Sequence, residues 1–261
     1  MYIPREIIIT LDEAEKSKLF DRLVQKKVLK KLSFTHENLL FKMFLMEQRQ
    51  QPDALYQNYF KTLPSTWDNF PVHYGDSDMI ELDGSFFGKH VRDFGRAMSR
   101  EYITLQSKLS EFSQIYTYDD FLEAFFILQS RFFMVAIESQ KIVEQMLVPY
   151  ADLINHSNTP NAAYEYSEED GRRGVVVRAT ADISAGEEIT IAYGPDKSNE
   201  VLLKQYGFVS DSAPWSGENL KLKLKMTIDD PLIAKKQEAL KDTQVAFKTL
   251  SKGEAVSSSY H

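Results

Sequence analysis

Apolar and polar positions follow two different periods along this chain, and the change between them divides it. The β-branched run Ile7-Ile8-Ile9-Thr10 predicts a strand, and Leu11-Asp12-Glu13-Ala14 opens a helical stretch. A second helix is predicted behind Thr35 as N-cap, with Glu37 in its first turn. Its body, Leu39 to Met46, is apolar almost all round, the pattern of a buried helix. Pro52, Pro64 and Pro71 break residues 51–83 into short helices and loops, and another helical region is predicted over 84–111. Thr117-Tyr118-Asp119-Asp120 has the form of a capping box and opens the strongest helical pattern, Tyr118 to Glu144. Beyond Pro149 the texture turns to strands: Ala162 to Tyr166, Val175 to Ala179 with Asp170-Gly171 in the turn between them, and Glu188 to Tyr193. Leu220 to Met226 alternates strictly, a half-exposed strand with lysines on its wet face. Asp229-Asp230-Pro231 starts a last helix, and the tail from Ser257 is expected to be loose.

The balance of 43% hydrophobic and 26% charged residues in 261 places the chain among soluble globular proteins, as one large or two small domains. A net charge of −7 without any long basic run argues against nucleic acid or an anionic membrane as partner. The absence of cysteine excludes disulfides and thiolate metal sites and agrees with a reducing intracellular compartment. The five histidines show no zinc-like spacing, so no metal is expected. No apolar run reaches the roughly 18–20 residues that span a bilayer, and the start lacks a signal- or transit-peptide pattern.

Four local features carry candidate chemistry. Asn155 and His156 follow an apolar segment directly, where a scaffold runs into a polar loop; the same letters also make an ordinary turn. Tyr193 ends an apolar strand before Gly194, as a site tyrosine or a satisfied core tyrosine. Tyr206-Gly207-Phe208 repeats the Tyr-Gly pairing, with Gly207 placed to end a helix. Arg131, read on a helix, has Ile127, Leu128, Met134 and Val135 as neighbours, and needs an anion from a ligand or from elsewhere in the fold.

Together these features resemble the SET-domain protein methyltransferases, and more narrowly the Rubisco large-subunit lysine methyltransferase group. The matching text is Asp152-Leu153-Ile154-Asn155-His156-Ser157, then Gly186 to Thr190 through Tyr193-Gly194, then Leu202-Leu203 through Tyr206-Gly207-Phe208, in that order and spacing. Tyr59 to Pro64 and Ser130-Arg131-Phe132 also have the group's character, so the resemblance covers nearly the whole chain.

The resemblance implies an α+β fold. A SET core of short twisted strands would carry a large helical insert and be followed by the beginning of a helical substrate-binding domain. The implied divisions are 1–15, the start of the core; 16–148, the insert; 149–209, the rest of the core; and 210–261, part of the following domain. It implies transfer of a methyl group from S-adenosyl-L-methionine (AdoMet) to a protein side chain, lysine more often than histidine. Tyr193 takes the catalytic position. Arg131, Asp152, Asn155, His156 and Tyr206 take cofactor positions, and Phe208 lines the channel for the target side chain. The family's C-terminal segment threads under a preceding loop, which would bring Tyr193 and Tyr206 to Asn155 and His156. One departure stands out: the family opens with a Gly-x-Gly segment that approaches AdoMet, and this sequence contains none. Two expectations follow, an active methyltransferase of which this is a part, or an inactive SET-fold subunit that binds or scaffolds within a larger assembly.

Overall fold

In the computed structural model, the described residues are 1–25, 36–52, 55–194, 197–211, 231, 232 and 235. The chain divides into two compact units, Met1–Pro214 and Trp215–His261. The predicted N-cap Thr35, the strand Leu220 to Met226 and the start of the helix at Asp229-Asp230 lie outside the described residues, as does most of the expected C-terminal domain.

The first unit is α+β, with helices and strands segregated around two apolar cores. The helices are α1 (Leu11–Ala14), α2 (Lys18–Gln25), α3 (His36–Arg49), α4 (Gln57–Phe60), α5 (Asp76–Glu81), α6 (Phe86–Lys108), α7 (Phe112–Ile115), α8 (Tyr118–Arg131) and α9 (Asn199–Tyr206). α3 is buried through Leu39, Leu40, Phe41, Met43, Phe44, Leu45 and Met46, as its all-round apolar pattern requires. α8 lies against it and buries Phe121, Leu122, Ala124, Phe126, Ile127 and Leu128. The capping box forms: Thr117 accepts from the Asp120 amide at 3.1 Å, and Asp120 accepts from the Thr117 amide at 2.7 Å. Within this helical core Lys42 is 1% exposed, with Nζ 4.2 Å from the centre of the Phe121 ring and its charge facing Glu101 of α6.

The second core is built by strands. β1 (Tyr2–Pro4) pairs with β6 (Gly174–Ala179), which pairs with β5 (Ala162–Ser167), all antiparallel. β2 (Phe132–Ile137) and β3 (Ile142–Leu147) form a hairpin. β4 (Asn155–His156) runs parallel to β7 (Thr190–Ile191). Ile3, Ile8, Phe133, Val135, Ile137, Met146, Val175, Val177 and Ile191 meet in the core between them.

Three sequence expectations are corrected here. The helix predicted to Glu144 ends at Arg131. From Phe132 burial alternates, with Phe133, Val135 and Ile137 inside and Met134 and Ala136 outside, so the period is two and the segment is a strand. Met134 and Val135 are therefore not helical neighbours of Arg131. The strand predicted at Ile7–Thr10 is only a single bridge, in which Ile9 and Leu147 exchange both backbone hydrogen bonds; the strand lies earlier, at Tyr2–Pro4. The strand predicted over Glu188 to Tyr193 contracts to Thr190–Ile191.

Candidate active site

The end of α8, the turn after β3 and the end of β7 converge on one cleft. Leaving β3, the chain buries Val148 and turns through Tyr150, whose φ of 70° is unusual for a non-glycine residue. The short 3-10 turn Ala151–Leu153 then buries Ala151 and Asp152 and delivers Ile154 to β4. Ser130, Arg131, Phe132, Phe133, Asp152, Tyr164, Ile191, Ala192, Tyr193 and Tyr206 line the cleft. A roomier cavity of about 190 Å³ has the rings of Phe70, Phe94, Phe125 and Phe126 in its lining, and none of the catalytic, cofactor or channel residues expected from the sequence borders it.

Arg131 finds its anion inside the fold. Its Nη1 donates to Asp152 Oδ2 at 3.1 Å and to the Asp152 carbonyl at 3.0 Å. The Tyr59 hydroxyl donates to the same Oδ2 at 2.6 Å. The Asp152 side chain is fully buried and that of Arg131 only 15% exposed, so this is an interior ion pair. Burial pushes the Asp152 carboxyl up, against the opposing pull of Arg131 and of the Tyr59 hydrogen bond. Burial, then the charge and hydrogen bond of Asp152, hold the Tyr59 phenol well above its ordinary range, so it remains a donor. Two atoms of the set keep no hydrogen-bond partner although buried: Arg131 Nε and Asp152 Oδ1.

Four rings gather nearby, two of which, Tyr193 and Tyr206, line the cleft. Tyr193 lies 4.7 Å from Tyr206 and 5.2 Å from His156, centre to centre, and Phe208 lies 6.2 Å from His156 and from Tyr206. The Tyr193 amide donates to His156 Nδ1 at 3.1 Å, so Nδ1 is the acceptor and the proton sits on Nε2, which donates to Asn158 Oδ1 at 3.0 Å. The Tyr193 hydroxyl donates to the Ile154 carbonyl at 2.8 Å. Burial raises the Tyr193 phenol, and burial together with Tyr193 pushes Tyr206 up to about 12. Asn155 points elsewhere: its Nδ2 donates to Glu188 Oε1 at 2.6 Å on an exposed face.

The structure thus gathers His156, Tyr193, Tyr206 and Phe208 at one ring cluster, and Arg131 and Asp152 on the adjoining wall, with Asn155 at the edge. Sequence reading missed three contributors. Tyr59 was noted only for its motif, and its bond to Asp152 spans 93 residues. Glu188 holds the Asn155 carboxamide, and Tyr164 packs edge-on to Phe133 at 4.8 Å in the cleft wall. For Tyr164 a signal existed: it alternates with exposed Ala163 and Glu165 along β5. Among the described residues no group of three or more His, Asp or Glu is placed to hold a metal ion, and no helix is long and apolar enough to cross a membrane.

Comparison with known proteins places this geometry. The SET-domain family model matches residues 1–194. The chain is similar to the actin-histidine N-methyltransferase of Rhinolophus ferrumequinum, at 27% identity over 248 residues, covering 92% of this chain and 40% of that protein. It is 31% identical over 182 residues to the chloroplastic Rubisco large-subunit N-methyltransferase of Pisum sativum, covering 64% of this chain and 36% of that one. Among solved structures, the SET domain of LSMT bound to methyl-lysine and AdoHcy superposes with a TM-score of 0.65 at 26% identity, over 93% of this chain and 54% of that one. The chain therefore spans well under two thirds of the length of these relatives.

Proposed function

The chain belongs to the SET-domain family, and from that premise we propose that it moves a methyl group from AdoMet to a side chain of a protein substrate. The observation that carries this reading is the convergence at one cleft of Tyr193 and Tyr206, with His156 and Phe208 packed against them, and the Arg131–Asp152 pair. The similar proteins are protein methyltransferases by name, and the matching solved structure holds AdoHcy.

The residues present fit such a cofactor. The buried Nε of Arg131 lacks a partner and offers an edge to a carboxylate. The ring faces of Tyr193 and Tyr206 suit a cation. β4, which carries Asn155 and His156, is held parallel to β7 beside the cleft. When bound, AdoMet supplies an electrophilic sulfonium methyl group. The chain's own residues then have two tasks. A lysine acceptor, ionising at about 10.4 in water, has to lose its proton to solvent water before transfer, and aromatic, partly buried surroundings favour the neutral amine. Tyr193 does not take that proton: its phenol is raised, keeps its hydrogen at neutral pH and is tied to the Ile154 carbonyl. Its oxygen instead presents lone pairs that orient the acceptor nitrogen, and positioning supplies most of the acceleration. The ring nitrogen of a histidine acceptor meets the same requirements, so the geometry serves either target.

The test uses the full chain with methyl-labelled AdoMet and hypomethylated cell protein, followed by amino-acid analysis. Label in methyl-lysine or methyl-histidine, absent with Tyr193→Phe, is the expected result. AdoMet binding without any transfer would point to the other reading, a SET-fold binding subunit of a larger assembly.

A further inference from the structure

We propose that the phenylalanine-lined cavity between α6, α8 and α9 is a second binding site, for a small acid that carries one aromatic ring. It is separate from the cleft, since no residue lines both spaces, and it does not depend on the methyl-transfer reading.

α8 and α9 serve the two spaces with different faces. Gln129 of α8 and Lys204 of α9 line the cavity, whereas Arg131 and Tyr206 line the cleft. Each pair is two positions apart, about 200° around a helix, so its members point to opposite sides. The Gln129 carboxamide donates to the Lys204 carbonyl at 2.7 Å, near the end of α9 where carbonyls lack helical partners, and ties the two helices together in the cavity wall. Size and lining select the body of the ligand. At about 190 Å³ the cavity exceeds the roughly 150 Å³ apolar space that takes up benzene in an engineered protein, so it holds one ring with a short arm. Phe94 and Phe125 lie 4.9 Å apart and Phe70 and Phe126 4.4 Å, all four in the lining, and such rings pair with a further ring edge-on or offset.

Charge selects the other end. Among the described residues no carboxylate lines the cavity, and the Lys204 ammonium forms no ion pair, although Glu200 stands one turn earlier on α9. The charge of Lys204 is felt at His90, the lining residue that α6 contributes beside Val91 and Phe94. Partial burial, then Lys204, push the His90 imidazole down, against Glu200 and Asp93, and Lys89 adds a smaller push the same way. Lys89 and Asp93 are paired with each other. His90 is therefore neutral at pH 7 and brings one N–H donor, while Lys204 brings the positive charge. A carboxylate on the ring's short arm would complete both, and a charge-assisted hydrogen bond is the stronger kind.

Calorimetric titration of the full chain with phenylacetate, its uncharged amide phenylacetamide, and acetate tests the ring and the charge separately. Phenylacetate should bind, phenylacetamide about tenfold more weakly, the scale of a hydrogen bond to a charged group, and acetate not measurably. Lys204→Met keeps the apolar stem and the carbonyl that Gln129 holds. In that variant phenylacetate should fall to the level of the amide, and the amide should bind as before. Val72→Phe projects a ring into the space from its lining and should abolish both. NMR locates the ligand: the imidazole signals of His90, identified by their loss in His90→Gln, should move on adding phenylacetate. Thermal melts establish that each variant is folded, and should Val72→Phe not fold, the Lys204→Met comparison decides. A folded wild type that shows no saturable binding of phenylacetate overturns the proposal. So do equal affinities for acid and amide, a Lys204→Met variant that binds phenylacetate as well as the wild type, or binding that leaves the His90 signals unmoved.

Discussion

At the scale of single residues, the proposed function separates a group that would act on the acceptor from groups that would hold the cofactor. Tyr193 has its hydroxyl fixed by the Ile154 carbonyl and its amide fixed by His156. Tyr193→Phe removes the oriented oxygen and leaves the ring packed against Tyr206. Transfer should fall at least about a hundredfold, the usual consequence of losing alignment at the reacting atoms. AdoMet affinity should stay within about twofold by the same reasoning, because uniform binding is untouched. Equal rates for the two proteins in single-turnover assays would take Tyr193 out of the catalytic role. Much of this was legible in the sequence, because Asn155-His156, Tyr193-Gly194 and Tyr206-Gly207-Phe208 are short, local strings. The Asp152–Tyr59 bond was not, because neither periodicity nor a motif reports which hydroxyl meets a carboxylate 93 residues away. The same holds for Arg131, whose partner could not be chosen between ligand and protein until Asp152 was placed at 3.1 Å.

At the scale of elements, the ring cluster depends on how α9 ends. Gly207 adopts φ 77° as the C-terminal cap, and its carbonyl accepts from Asn69 at 3.0 Å. A Cβ there would lie 2.5 Å from Asn69 Nδ2 in addition to the strain of the left-handed backbone. Gly207→Ala should cost roughly 1–3 kcal/mol in urea unfolding. It should also weaken AdoMet binding, because Tyr206 and Phe208 flank the turn. Unchanged stability would mean that the turn relaxes freely and does not hold the two rings. This cap was readable from Tyr-Gly-Phe, as was the capping box at Thr117. The β2–β3 hairpin was not. Phe132 to Ile137 is apolar enough to continue a helix by composition, and only the packing of Phe133, Val135 and Ile137 into the strand core shows which period operates.

At the scale of the whole molecule, the helical core contains a titratable group that takes no part in the candidate site. Burial pushes the Lys42 amine down to about 7, although Glu101 pulls it the other way. The unfolded chain, with an ordinary lysine, therefore binds more protons than the folded one between about pH 7 and 10.5. Folding stability should gain from this group as pH rises through that window. Urea melts at pH 7 and pH 9 should show the gain for the wild type and a flatter response for Lys42→Met/Glu101→Gln. The same slope in both would remove Lys42 from the account. At this scale the sequence was informative about class: the ordered motifs resembled those of an α+β SET-domain protein, and the family match establishes that membership.

The central claim is that the cleft between Arg131 and the ring cluster receives AdoMet. Calorimetric titration of the full chain with AdoMet, and with AdoHcy, tests it most directly. The account expects one ligand per chain, with affinity reduced about tenfold or more in Tyr206→Ala, which removes a ring that lines the cleft. A folded chain that takes up neither ligand, or a Tyr206→Ala variant that binds as well as the wild type, would contradict it.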